Sequence, residues 1–270
     1  MTQYETLLVE RDARGIVRLT LNRPEKRNAL SAEMIADLTD FARTTGASRT
    51  TRAVILSGAG EVFCAGGDLR WMQAQIQADR AGRMREARKL ADMLNALNTM
   101  PAPLIGCAHG GAFGGGIGLL CVCDLALAAA DTRFGLTETG LGLIPATIGP
   151  YVVARMGEGR ARRVFMSSRI FGAAEAVDLG LIARACPAAD LAAAAGAEAL
   201  PYLSVAPGAV GAAKALARRL GPRIDDAVLD ATIEALADIW ECDEAREGID
   251  AFLNKRPPAW KQLRGEGAGS

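Results

Sequence analysis

The stretch Cys107–Gly118, CAHGGAFGGGIG, places six glycines in twelve residues. Glycine lets backbone approach another group closely, and successive N–H groups at a helix start hold an anionic oxygen without a side chain. A Walker A loop would end in lysine and a hydroxyl residue, but Gly118 is followed by Leu119 and Leu120. A dinucleotide fingerprint would need a glycine at 121 and an acid about 20 residues on, whereas Asp124 and Asp131 come too early. Two readings remain: close packing of a helix on a sheet, or backbone donors aimed at an oxygen. Phe63-Cys64-Ala65-Gly66-Gly67-Asp68 is a second small-residue turn after an apolar run. Two such turns could direct two N–H groups at one oxyanion. Glu138, within RFGLTETGLGLIPA, sits among small and apolar residues. It reads either as a helix cap or arginine partner, or as a general acid or base whose pKa burial raises. His109 is the only histidine, which excludes a multi-histidine metal site and a histidine relay. Its place before the glycines favours a structural hydrogen bond.

These residues need a scaffold, and the pattern around them supplies an α/β one. TLLVER and VRLTLN flank DARG as two strands and a tight turn. Asn28 or Ser31 then opens a helix through Met34, Ile35, Leu38 and Phe41. Strands are predicted at 52–56 and 104–107, at DLALAAA, and at 181–184. Helices are predicted at 83–98, 117–123, 158–167 and 173–178. The order of strand, turn, helix and strand points to crossover units. From about Ala188 alanine-rich helices take over, at 209–219, 226–239 and onward to Phe252. The organisation expected is a core over 1–190, a helical region over 191–260 and a flexible tail over 261–270.

The chain has 270 residues, 31 basic against 31 acidic side chains, and 50% apolar residues. That composition is ordinary for a globular protein, and its balance argues against a nucleic-acid partner. Six cysteines lack paired CxxC spacing and read as buried thiols of a reducing compartment. The N-terminus meets charge within five residues, and no charge-free run approaches membrane-spanning length. A cytoplasmic protein without a metal or a membrane partner is the expectation.

NRPEKRNAL (22–30), VFCAGGDL (62–69), the glycine stretch followed by CDLALAA, FGLTETGLGLIP (134–145) and EGIDAFLNKRPP (247–258) together resemble the enoyl-CoA hydratase/isomerase, or crotonase, family. The resemblance implies a spiral of ββα units, then helices supporting a homotrimer or a hexamer of two trimers. It implies an acyl-CoA substrate, with CoA belonging to the thioester and no separate cofactor. Ala65 and Gly115 would donate N–H groups to the thioester oxygen, with Glu138 as acid and base. CoA would contact Cys64, Ala65, Asp68 and Leu69, with Lys26 or Arg27 near its phosphates. Phe252 and Lys255 match positions that in some members reach a CoA on the neighbouring subunit.

The departure lies at Gly118, where the resembled two-carboxylate hydratases carry a second glutamate. FCAGGDLRWM, AFGGGIGL and ETGLGLIPATIGPYVV look most like the bacterial methylglutaconyl-CoA hydratase branch, which shares this feature. The resemblance therefore implies reversible hydration of a 2,3-enoyl-CoA, of which 3-methylglutaconyl-CoA or a related branched ester is a candidate. Double-bond isomerisation and an acyl-CoA-binding protein with impaired turnover are the alternatives.

Overall fold

Asp12 stitches the first hairpin, its carboxylate accepting the N–H groups of Arg14 and Ile16. It joins β1 (Leu7–Arg11) antiparallel to β2 (Ile16–Leu21). The structure, a computed structural model, describes residues 3–262. Ser31 caps α1 (Ala32–Arg43) through a bond from the Met34 N–H. The chain continues through β3 (Ala53–Gly58), α2 (Leu69–Gln77), α3 (Arg80–Thr99) and β4 (Leu104–Ala108). After β5 (Gly111–Phe113) come α4 (Gly115–Cys121), β6 (Leu125–Ala129) and β7 (Arg133–Gly135), then a 3-10 turn, Glu138–Leu141. α5 (Gly149–Met156), α6 (Glu158–Phe165), β8 (Phe171–Gly172), α7 (Ala173–Asp178) and β9 (Arg184–Cys186) complete the strand-bearing part. Five helices end the described chain: α8 (Leu191–Ala199), α9 (Pro207–Leu220), α10 (Asp226–Trp240), α11 (Asp243–Leu253) and α12 (Ala259–Gln262).

Six strands form one sheet in the order β1-β2-β3-β4-β6-β9, parallel from β2 onward. A smaller sheet has the order β5-β7-β8. The spiral follows from how these two sheets alternate. β4 lies in the large sheet, β5 in the small one, and α4 follows; β6 and β7 repeat the step. This is the ββα spiral that the resemblance implies, with a helical C-terminal region. Solved relatives, described below, share it.

A parallel sheet must be covered on both faces. Leu19, Leu56, Leu104 and Ala126 pack on one face with α1, α3 and α4. Ile16, Ile55, Ile105 and Leu127 on the other face meet Leu191, Ala195 and Ala199 of α8. A helix from beyond residue 190 thus closes the core of the strand-bearing part. The expected tail, 261–270, lies outside the described residues from 263 onward.

Several local expectations shift. α2 was not anticipated, because it buries only Gln75 and so has no apolar period to read. The long helix begins at Arg80, where the Asp79 side chain caps it, and β9 lies at 184–186 rather than 181–184. The glycine stretch is more than a connection, since it contributes β5. His109 accepts the N–H groups of Phe63 and Gly111 on its carbonyl, and its ring Nε2 lies 2.9 Å from the Gly60 carbonyl, the structural bond expected of it.

The C-terminal helices also reach the Glu138 turn. α11 lies so close that a Cβ on Gly248 would stand 2.4 Å from the backbone of Leu141. Gly142, at φ +69°, sits equally tight beneath the Glu244 carbonyl. Backbone on both sides leaves nothing flexible to yield. Gly248→Ala is therefore expected to destabilise the fold by about 1–3 kcal/mol, read as a lower urea midpoint at unchanged m-value.

Candidate active site

Residues 64–68 run as an extended strip between two neighbours. On one side Cys64 donates its N–H to the Gly111 carbonyl at 3.1 Å and accepts the Phe113 N–H at 3.0 Å. On the other, the Ala65 N–H donates to the Arg27 carbonyl at 3.0 Å. The Leu30 N–H donates to Gly66 O at 2.8 Å, and the Asp68 N–H to Leu30 O at 3.0 Å. A trans peptide is planar, so its N–H points opposite to its C=O. The Cys64 carbonyl faces β5, so the Ala65 N–H faces away from it, toward Arg27. The Gly66 carbonyl faces Leu30, so the Gly67 N–H faces away from Leu30, toward the 111–116 side. Gly66, at φ +98°, makes this reversal. Gly67 is exposed, and its N–H has no hydrogen-bond partner among the described residues.

This corrects the assignment of Ala65 as an oxyanion donor: its N–H is already engaged and points the wrong way. Gly67 holds the free donor. The Gly115 N–H is the second, in the unbonded first turn of α4. Both glycines adjoin one residue, Leu30: Gly67 meets its backbone and Gly115 its side chain. Leu30 bridges to Gly67, and a Cβ on Gly115 would lie 2.6 Å from Leu30 Cδ1.

Glu138 completes the arrangement. Its Oε1 lies 2.9 Å from where a Cβ on Gly114 would stand, and Gly114 adopts φ +47°. Any side chain there would meet both a strained backbone and the carboxyl. Two hydroxyls fasten the turn that carries Glu138. Ser168 Oγ donates to the Thr137 carbonyl at 3.3 Å, and Thr139 Oγ1 donates to the Met166 carbonyl at 3.2 Å. Glu138 Oε2 is buried with no hydrogen-bond partner, and burial pushes the carboxyl up to about 7. Of the sequence readings, the arginine partner finds no support, since no ion pair forms on this side chain among the described residues; its backbone bond is to its own N–H.

Gly118 is buried in α4. A Cβ at this position would come within 2.5 Å of Ile148 Cγ2. The space that a carboxylate at this position would need is filled by an isoleucine methyl.

The remaining assigned residues divide sharply. Cys64 is fully buried with both backbone groups bonded, and burial pushes its thiol up to about 12. Neither its thiol nor its backbone is open to a ligand, which corrects its assignment to CoA. Asp68 is also withdrawn. One carboxylate oxygen pairs with Arg23, the other accepts the Arg70 and Trp71 N–H groups, and its own N–H is bonded. Ala65 retains only its carbonyl without a partner, and Leu69 is about half exposed. Lys26 and Arg27 are exposed, and their side chains form no ion pair or hydrogen bond within the described residues. Phe252 and Lys255 sit at the exposed end of α11, beyond the Gly248 contact. Gly67 and Arg23 were not singled out in the sequence. The signal for Gly67 was its place between a glycine and the Asp68 cap.

Among the described residues no group of three or more histidine, cysteine, aspartate or glutamate side chains gathers to hold a metal. No helix there is long and apolar enough to cross a membrane.

The family model described as enoyl-CoA hydratase/isomerase matches residues 11–264. An enoyl-CoA hydratase from Shewanella pealeana is 35% identical, with 96% of this chain and 97% of that one covered, at a TM-score of 0.78. An enoyl-CoA hydratase from Mycobacterium smegmatis is 34% identical, covering 95% and 99%, at 0.77. AtuE of Pseudomonas aeruginosa is 39% identical, covering 95% and 99%, at 0.75.

Two outcomes follow from this geometry. A buried acid with a raised pKa keeps a proton that the unfolded chain has released. Stability therefore falls as pH rises from about 4.5 to about 7. Glu138→Gln should raise the melting temperature at pH 8, by an amount corresponding to at most about 3 kcal/mol, and change it little at pH 4.5. Gly118→Ala should cost about 1–3 kcal/mol by overpacking, and a double-mutant cycle should show a smaller cost for it in an Ile148→Ala background.

Proposed function

Because the chain belongs to the enoyl-CoA hydratase/isomerase family, we propose that it reversibly adds water across the 2,3-double bond of an enoyl-CoA. The observation that carries this reading is the pair of unpartnered N–H groups, Gly67 and Gly115, bordering Leu30. Both belong to the segments that Glu138 adjoins through Gly114. An electrophilic thioester needs two such donors on its oxygen and a proton carrier near the α- and β-carbons.

The steps balance with one acid. Ionised Glu138 takes a proton from water as the water oxygen bonds to the β-carbon. The π electrons move to the thioester oxygen, where two preorganised donors stabilise the enolate. One such donor is typically worth roughly 3–4 kcal/mol. Protonated Glu138 then delivers its proton to the α-carbon. No second carboxylate is required if the same oxygen serves both ends of the addition.

Lys26 and Arg27 are exposed basic groups available to CoA phosphates, and Leu69, like Gly67, is exposed. Phe252 and Lys255 would reach a CoA held by a neighbouring copy. In this reading the helices after residue 190 carry the contacts of a homotrimer, alone or stacked as a hexamer. α9 leaves Leu216 and Leu220 exposed at 56% and 79%, apolar surface that such contacts would cover. Light scattering at three or six times the chain mass tests this.

The acyl chain would pass Trp71, whose ring lies 3.9 Å from the Cβ position of Gly67. The motif resemblance supports a branched acyl group such as 3-methylglutaconyl-CoA.

The experiment is incubation with crotonyl-CoA, 3-methylglutaconyl-CoA and longer branched esters in deuterated water, with products resolved by mass and NMR. A 3-hydroxyacyl-CoA labelled at the α-carbon is expected. A shifted double bond without hydration would establish isomerisation instead, and binding without turnover would establish an impaired binding protein. The value of kcat/KM should rise with pH and level off above about 7, because both directions begin with ionised Glu138. Glu138→Gln should lower kcat at least 100-fold.

A further inference from the structure

We propose that the buried Arg23–Asp68 ion pair is a positioning device that sets the direction of the Gly67 N–H. This rests on the hydratase reading above. Arg23 Nη1 lies 3.0 Å from Asp68 Oδ2, with side-chain exposures of 19% and 8%. The same nitrogen donates to the Ala29 carbonyl at 2.8 Å. Asp68 Oδ1 accepts the Arg70 N–H at 2.8 Å, at the start of α2. One pair thus joins the 23–30 loop, the 64–68 strip and a helix terminus.

The loop end of this joint is itself fixed. Asn28 is fully buried, accepts the Arg23 N–H at 2.9 Å, and donates to the Ala59 and Val62 carbonyls at 2.7 and 2.9 Å. Arg27 and Asn28 both adopt left-handed backbone, at φ +53° and +52°. Two consecutive non-glycine residues in that region are costly, and the three Asn28 bonds retain them there. That conformation belongs to the stretch from which the Arg27 carbonyl bonds Ala65 and Leu30 bonds Gly66 and Asp68.

The need for such a device comes from Gly66 and Gly67. Two adjacent glycines are the least restrained backbone available, and a turned peptide between them would withdraw the donor. Only the Leu30 N–H bond to Gly66 O holds that peptide plane directly. Leu30 keeps its register with the strip because Arg23, seven residues earlier, is bonded to Asp68 on the far side of Gly67. An exposed ion pair would hold little. This one is shielded, its arginine also bonds the Ala29 carbonyl and its carboxylate also accepts backbone N–H groups of α2, so it holds geometry. The expected product of the pair is a fixed N–H rather than a charge in the site.

The test uses full-length Asp68→Asn, which keeps the helix-capping oxygen, and Arg23→Lys, which keeps the charge. A CoA thioester of 4-dimethylaminocinnamic acid serves as the probe, because donors on its carbonyl oxygen pull electrons along the chromophore and shift its absorption to the red. Both variants should lose at least half of the wild-type red shift in the bound ester. Their kcat should fall roughly 10- to 100-fold, less than for outright removal of a donor, with KM within about threefold of wild type. Wild-type red shift in folded variants, with kcat falling only as the folded fraction does, would overturn the proposal. So would failure of both variants to fold, since the pair would then act in stability. If the wild-type protein neither turns over any enoyl-CoA nor shifts the probe, the hydratase reading fails, and the positioning claim falls with it for a separate reason.

Discussion

Peptide planarity at two bonds of one strip, Cys64–Ala65 and Gly66–Gly67, governs the site. The Cys64 carbonyl is held by Phe113, and the Gly66 carbonyl is held by Leu30. Each hydrogen bond fixes a plane, and each plane commits the next N–H to the opposite side. Ala65 is thereby spent on Arg27, while Gly67 is left facing the glycine stretch. Everything upstream serves this outcome: the antiparallel hairpin, the left-handed turn at Arg27 and Asn28, and the Asp68 cap of α2. α4 contributes the second donor by starting at Gly115, with Gly114 in a backbone region that a Cβ would obstruct.

The acid is set by the opposite strategy. The donors are backbone held rigidly in place, whereas Glu138 is a side chain left without a hydrogen-bond partner on one buried oxygen. The turn that carries it is held by Ser168, by Thr139 and by the close apposition of α11. A carboxyl whose pKa stands near neutrality exchanges protons in both directions at physiological pH. Burial costs stability, and the exchange is what that cost supports. Where the resembled two-carboxylate hydratases carry another glutamate, Ile148 packs against Gly118, so the proposed reaction assigns both proton transfers to Glu138.

Much of the fold was legible in the sequence. The first hairpin, α1 with its Ser31 cap, the buried strand of β4 and the alanine-rich helices all follow from period, caps and turn residues. The three-stranded sheet was not legible, because strands of two or three residues carry no period. α2 was hidden for a similar reason, as it buries almost nothing. Within the site, Glu138 drew attention through its small and apolar surroundings, whereas Gly115 came from the family resemblance. The choice between Ala65 and Gly67 could not be read from the sequence. It depends on which neighbour each carbonyl meets, and those partners lie in residues 27–30 and 111–113, remote in the chain. Asp68 entered through the family resemblance, and its Arg23 partner, likewise remote in the chain, could not be read from the sequence.

The most direct measurement is a crystal structure with a non-reactive acyl-CoA thioester bound. The account predicts the thioester oxygen about 2.7–3.1 Å from both the Gly67 and Gly115 nitrogens, with a Glu138 oxygen facing the α- and β-carbons and the Ala65 N–H still bonded to Arg27. A thioester oxygen held by Ala65, after release of its bond to Arg27, would contradict it.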